Sequence, residues 1–81
     1  MLHVAAVRPL SDARLWVRFD DGVEGEVDLS AELTGAVFMP LKDPVLFAKA
    51  AIDPDTRTVT WPNGADFAPE FLAGLLVNRH R

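Results

Sequence analysis

The 81-residue chain reads as an α+β domain: a small antiparallel sheet of three to four strands, a short middle helix, and a C-terminal amphipathic helix packed on one face. Three observations lead there. Residues 14–19 and 23–28 alternate apolar with charged side chains, the period of a half-buried strand. Ala68, Phe71, Leu72, Leu75 and Leu76 recur at helical spacing. Strands and helices do not follow one another in the βαβ rhythm of a parallel sheet. At this length residues 1–81 make one domain.

Leu2 to Arg8 is β-branched and apolar enough for a strand, ended by the turn chemistry of Pro9-Leu10-Ser11-Asp12. Its faces stay open, since Leu2, Val4 and Ala6 compete with Ala5 and Val7 for the inward side. In the next strand Leu15, Val17 and Phe19 share one face and Arg14, Trp16 and Arg18 the other. The hairpin that follows is decided by parity. A two-residue Asp21-Gly22 loop would set Phe19 opposite Glu24 and Val17 opposite Glu26, mixing an apolar face with an acidic one. A three-residue loop, with Asp20-Asp21 in a type I turn and Gly22 left-handed in a G1 bulge, pairs Phe19 with Val23, Val17 with Gly25 and Leu15 with Val27. The same register sets Arg18 opposite Glu24 and Arg14 opposite Asp28 on the outer face, where opposite charges contribute ~0.2–1 kcal/mol each.

Ser30 is placed to cap one helical turn, residues 31–33, that Gly35 closes. Asp43-Pro44 is an N-cap followed by proline at the first helical position, opening a short helix over residues 45–50 whose Leu46, Phe47 and Ala50 face the core. Asp53-Pro54-Asp55-Thr56 is a turn before a strand over residues 57–61, which Pro62-Asn63-Gly64 stops. The last helix starts near Asp66 or Pro69 and runs to about Asn78. Gly74 inside it leaves room for close approach by another backbone, and Arg79 and Arg81 suit its negative dipole end.

The composition narrows function mainly by exclusion. There are 8 Lys+Arg against 12 Asp+Glu, a net charge of −4, which argues against a bare polyanion as the main partner. With 0 Cys there are no disulfides and no thiolate metal sites. No signal peptide and no apolar run of ~18 residues is read, so the expected compartment is the cytoplasm, away from membranes. The two histidines, His3 and His80, sit at the chain ends, there is no tyrosine, and no glycine-rich loop is shaped for phosphate. No catalytic residue, cofactor or metal ligand is therefore assigned. The acids Asp20, Asp21, Glu24, Glu26 and Asp28 read as a solvated strand face and turn, and Asp53-x-Asp55 as turn chemistry, lacking the glycine and distal glutamate of a calcium loop.

Two tryptophans compete for attention. Trp61 reads as core, with Pro62-Asn63-Gly64 as turn and Asp66 as helix cap; the competing reading exposes Trp61 or Asn63 as a recognition loop. Trp16 falls on the outer face between Arg14 and Arg18, opposite Glu26, as an interface anchor would; the bland alternatives are a ring covering arginine stems, or one buried beneath residues 33–41.

The residues Val7-Arg8-Pro9-Leu10, Leu15, Phe19-Asp20-Asp21-Gly22, Val27-Asp28-Leu29, Phe38 with Leu41, Phe47, and Trp61-Pro62-Asn63-Gly64-Ala65-Asp66-Phe67-Ala68-Pro69-Glu70 resemble the bacterial family called domain of unknown function 2442. The resemblance covers nearly the whole chain, and Trp-Pro-Asn-Gly-x-Asp is its most specific stretch; Ala73 stands where the pattern would place an aromatic residue. It implies a compact α+β domain and suggests a gene lying beside another small protein in pairs resembling toxin–antitoxin modules. It carries over no catalytic residue. The expected function is thus a non-enzymatic protein-interaction module, a homodimer or a binder of a small partner protein, the antitoxin-like member of such a pair, with Trp16, Arg14 and Arg18 as its surface. The alternative is a nucleic-acid-binding regulator using Arg79-His80-Arg81 with Arg8, Arg14 and Arg18.

Overall fold

A computed structural model describes residues 1–77, and its first sheet is organised by the turn at Gly22. The Phe19 N–H donates to the Val23 carbonyl at 2.8 Å and the Gly22 N–H to the Phe19 carbonyl at 3.0 Å, with Gly22 at φ +87°. This is the three-residue loop that parity requires. Strands β2 (Arg14–Phe19) and β3 (Glu24–Asp28) pair antiparallel with Val17 opposite Gly25, Leu15 opposite Val27, Arg18 opposite Glu24 and Arg14 opposite Asp28. Leu15, Val17, Phe19, Val23 and Val27 are all buried as a result.

The first strand escapes its ambiguity through a bulge. Strand β1 (Val4–Pro9) pairs with the other edge of β2, and its register slips between Val4 and Ala6: Val4 lies opposite Phe19, Val7 opposite Val17. Strict alternation cannot bring residues three apart to one face. The extra residue Ala5 does so, and both Val4 and Val7 reach the core.

The middle of the chain forms short turns of helix. A 3-10 turn spans Ser30–Glu32, but Ser30 does not cap it with its side chain; the Asp28 carboxylate takes the Ser30 N–H at 2.9 Å. Gly35 does not close that turn. It opens the next, α1 (Gly35–Phe38), at φ +83°. After a second 3-10 turn, Met39–Lys42, comes α2 (Pro44–Phe47), capped as expected by Asp43, whose carboxylate accepts the Val45 N–H at 2.9 Å. It is shorter than residues 45–50. The chain must leave it to enter β4 (Ala51–Ile52), and Phe47 is its one buried residue.

The second half departs most from expectation, because its strands form a separate antiparallel sheet of β4, β5 (Val59–Thr60) and β6 (Asp66–Phe67), in that order. The turn between β5 and β6 repeats the geometry at Gly22. The Trp61 N–H donates to the Ala65 carbonyl at 2.9 Å and the Gly64 N–H to the Trp61 carbonyl at 3.0 Å, with Gly64 at φ +90°. Asp66 is consequently a strand residue and not the cap of the last helix. Pro69 disfavours helical backbone at Ala68, which is extended at φ −62°, ψ 145°, so α3 (Pro69–Gly74) begins only at the proline. Nor does α3 run to Asn78. It ends at Gly74, Leu76 bridges to Val27, and the Val77 N–H donates to the Glu26 carbonyl at 2.8 Å. The edge of β3 competes for this backbone and wins. Of the expected stripe, Leu72 is buried and Phe71 is exposed. A side chain added at Gly74 would meet open space, so that glycine serves no close approach. Arg79, His80 and Arg81 lie outside the described residues.

The two sheets share one apolar core. Leu15, Val17, Phe19 and Val27 meet Leu29, Leu33 and Leu41 from the middle turns, and Phe47, Val59, Trp61, Phe67 and Leu72 from the second half. Trp61 is 3% exposed and its Nε1–H donates to the Phe47 carbonyl at 2.9 Å, so its polar edge is satisfied inside the core. The buried Thr58 hydroxyl likewise donates to the Phe67 carbonyl. A backbone bond from the Val4 N–H to the Arg57 carbonyl, 2.9 Å, ties one sheet to the other.

Two substitutions test the turns. Gly22→Val puts a β-branched side chain at positive φ and should lower stability by about 2 kcal/mol. Arg57 is exposed and sits at φ +56°; Arg57→Gly relieves ~1–2 kcal/mol of left-handed strain, less ~0.4–1 kcal/mol for the freer unfolded chain, and should raise stability. Urea midpoints read both; a rise for the first or a fall for the second contradicts the backbone argument.

Candidate functional site

The register that buries Leu15, Val17 and Phe19 turns the alternate residues of β1, β2 and β3 outward in rows. Ala6, Arg18 and Glu24 form one, Arg8, Trp16 and Glu26 the next, and Arg14 with Asp28 the third. Trp16 is at the centre, half-buried. The Arg8 guanidinium, from the neighbouring strand, lies 5.6 Å from its ring centroid, and that of Arg18, two residues along the same strand, 6.0 Å. Trp16, Arg14 and Arg18 thus share a face as expected. The reading that buries Trp16 beneath residues 33–41 does not hold.

The charges on that face pair differently from the register. Arg14 reaches diagonally to Glu26 at 3.4 Å and back to Asp12 at 3.6 Å, not to Asp28 opposite. Asp28 instead turns to Ser30, and hydrogen bonds with the Ser30 side chain and backbone hold its carboxyl below the ordinary range. Arg18 lies over Trp16 and makes no ion pair with Glu24 among the described residues. The face is divided: guanidinium groups on the β1–β2 side, Glu24, Glu26 and Asp28 along β3.

Three further acids, Asp20, Asp21 and Asp53, serve the backbone. Asp21 accepts the Val23 N–H at 3.0 Å, and Asp53 accepts those of Asp55 and Thr56 at 2.7 and 3.2 Å. Asp20 accepts the His3 N–H at 3.1 Å and contacts His3 Nδ1 at 3.0 Å, which fastens the start of the chain to the hairpin. Among the described residues no three His, Cys, Asp or Glu side chains converge as a metal site would need.

Two depressions flank this sheet system. One, of about 450 Å³, lies between the β1–β2 turn and α2, over Leu10, Leu41 and Phe47. The other is an open groove of about 560 Å³ between the Ser30–Glu32 turn, α1, β6 and α3. Its floor is a stack of three phenylalanines: Phe38 and Phe67 have centroids 4.8 Å apart at 26°, Phe67 and Phe71 5.5 Å at 7°. Trp61 meets Phe67 edge-on at 5.9 Å and Phe47 at 5.7 Å, so an aromatic ladder runs from the core to the surface. Glu32 and Asp66 stand at the rim. Asn63 fixes one wall: its Nδ2 donates to the Val37 carbonyl at 3.0 Å while its Oδ1 accepts the Ala65 N–H at 3.2 Å. Trp61 is therefore a core residue and no exposed recognition loop, while Asn63 is exposed and braces the turn through these two hydrogen bonds. The sequence reading missed this groove by assigning Phe71 to an inward stripe and Asp66 to a cap; the signal was Ala68-Pro69, which delays the helix and leaves Asp66-Phe67 extended.

The model of a family described as proteins of unknown function, DUF2442, matches residues 4–76. Neither a curated protein nor a solved structure matches the chain.

The His3–Asp20 contact has a measurable consequence. Hydrogen bonds from the His3 backbone and then its ring hold the Asp20 carboxyl below the ordinary carboxylate range. A depressed carboxyl stabilises the fold above its unfolded pKa, and that contribution disappears as pH falls through the folded one. Stability should drop on acidification below about pH 4, and Asp20→Asn should flatten this drop in urea midpoints recorded from about pH 6 down through the carboxylate range. An unchanged slope would show that the contact does not contribute.

Proposed function

The chain belongs to the DUF2442 family, and we propose that it is a non-enzymatic protein-interaction module whose contact surface is the outer face of the first sheet, centred on Trp16. The observation that carries this is the ring's setting: Trp16 stands mid-face with two guanidinium groups over it, those of Arg8 and Arg18. Trp and Arg dominate binding energy at interfaces, above all near the centre of the contact. Each cation–π contact contributes ~0.5–1 kcal/mol at an exposed site, and together they hold the ring in one orientation before a partner arrives, which lowers the entropy lost on binding. Asp20, Asp21, Asp53 and His3 are engaged in turns and the N-terminal tie, and no three His, Cys, Asp or Glu side chains converge among the described residues, which supports the non-enzymatic part of the reading. The partner is a small protein or a second copy. The family resemblance suggests a gene lying beside another small protein in pairs resembling toxin–antitoxin modules, and on that reading the neighbouring gene's product is the first candidate.

One observation favours a second reading, nucleic-acid binding: Arg8 and Arg18 lie over an aromatic ring, with Arg14 on the same face. The carboxylates of β3 beside them oppose phosphate. A salt titration with mixed-sequence DNA separates the readings, since phosphate contacts give a steep negative slope of log affinity on log salt and a protein module gives none.

Trp16→Ala should weaken self-association or binding of the neighbouring product by ~2 kcal/mol or more while barely moving the melting temperature. Sedimentation and thermal denaturation of the same samples check it. A melting temperature lowered by the ~3–5 kcal/mol typical of a core aromatic, with association unchanged, defeats this proposal.

A further inference from the structure

We propose that the phenylalanine-floored groove is a second binding site, and that its occupant is an arginine-bearing apolar segment of a partner protein. The site is independent of the Trp16 face, so either can fail alone. Phe71 is 43% exposed although Leu72 beside it is fully buried, so an aromatic face lies open in a short helix whose apolar side could have covered it. Val37 and Met39, flanking Phe38, are exposed as well. Stacked rings offer one kind of contact for aliphatic or aromatic side chains and another for a planar cation, which is attracted to the ring face.

The rim selects the sign of the partner. Glu32 and Asp66 line the groove and, among the described residues, no Lys or Arg does. The Asp66 carboxylate neither caps α3 nor accepts a hydrogen bond among those residues, unlike the carboxylates of Asp20, Asp21, Asp28, Asp43 and Asp53, each of which holds a backbone N–H. Its carboxylate is therefore not spent on the turns and caps that occupy the others, and Asp66 lines the same groove as Phe38, Phe67 and Phe71. A guanidinium meets both features at once, stacking on a ring and pairing with a carboxylate in one plane, which a lysine ammonium does less well. The groove's course along β6 and the first turn of α3 suits a short extended segment.

The test uses the full chain labelled with ¹⁵N and two capped pentapeptides, Leu-Arg-Phe-Arg-Leu and Leu-Glu-Phe-Glu-Leu, titrated to millimolar concentration. The arginine peptide should shift the backbone amides of Glu32, Phe67, Ala68 and Phe71, and the glutamate peptide should not. The conservative pair Glu32→Gln with Asp66→Asn should weaken the arginine peptide about tenfold or more, as the loss of a charge-paired contact does, and Phe71→Ala should abolish its shifts. Raising the salt from about 50 to about 500 mM should weaken it several-fold. Equal binding of the two peptides, no shift at these amides, or an affinity unchanged by the carboxylate pair overturns the proposal. So does concentration-dependent shifting of the same amides in the chain alone, which would make a second copy the occupant. Because the carboxylate substitutions keep size and shape at the surface, the result stands even if Phe71→Ala fails to fold.

Discussion

Two glycines in left-handed backbone, Gly22 and Gly64, decide which side of the neighbouring strands meets the core. Each closes a three-residue loop through the same pair of backbone hydrogen bonds. Because side chains alternate, a loop one residue shorter would turn a whole strand over. At Gly22 that would carry Val27 out and the β3 carboxylates in; at Gly64 it would break the placement of Phe67 against Trp61. The composition of the two loops differs, Asp20-Asp21 in one and Pro62-Asn63 in the other, and only the glycine is common to both. A positive φ, +87° at Gly22 and +90° at Gly64, is what the two loops share, and it is a conformation that side chains rarely adopt.

This constraint also explains how much of the fold was legible in the sequence. The first hairpin was readable because two patterns, apolar and charged, each select the same register. The bulge at Ala5 was not, since nothing in a run of valine and alanine says where an extra residue sits. The second half was harder. Its strands are two residues long, too short for alternation to register, and the apolar spacing from Ala68 to Leu76 mimics a helix that backbone competition cuts short. The candidate site divided the same way. Trp16 followed from parity alone, whereas the groove depends on where α3 begins, which a single proline decides.

The two tryptophans show how one side-chain type takes opposite roles. Trp61 has its indole N–H satisfied by a carbonyl inside the core, so burial leaves no polar group without a partner. Trp16 faces outward, and its ring is flanked by charges that would be costly to bury. Register placed it there, and the two arginines over the ring make that position tolerable in water by covering part of the ring with their stems and charges. An outward tryptophan so supported has a defined orientation without belonging to the core.

The groove differs from the Trp16 face in how firmly it is held. Its inner wall is the core itself, through Phe67 and Trp61, and Asn63 ties the turn to α1. Its outer wall is α3, a six-residue helix with one fully buried side chain, Leu72. Burying a leucine contributes ~1.5–3 kcal/mol, far less than the many contacts of the β1–β2–β3 sheet. After the helix, the chain is pinned again by Leu76 on Val27 and by the Val77–Glu26 hydrogen bond. A wall fixed at both ends and lightly held between them is drawn from the low-stability end of a structure, where binding elements are commonly found. Phe71 rides on that wall, so the spacing of the ring stack depends on where α3 sits, whereas Trp16 is set by the strand pairing of the first sheet alone.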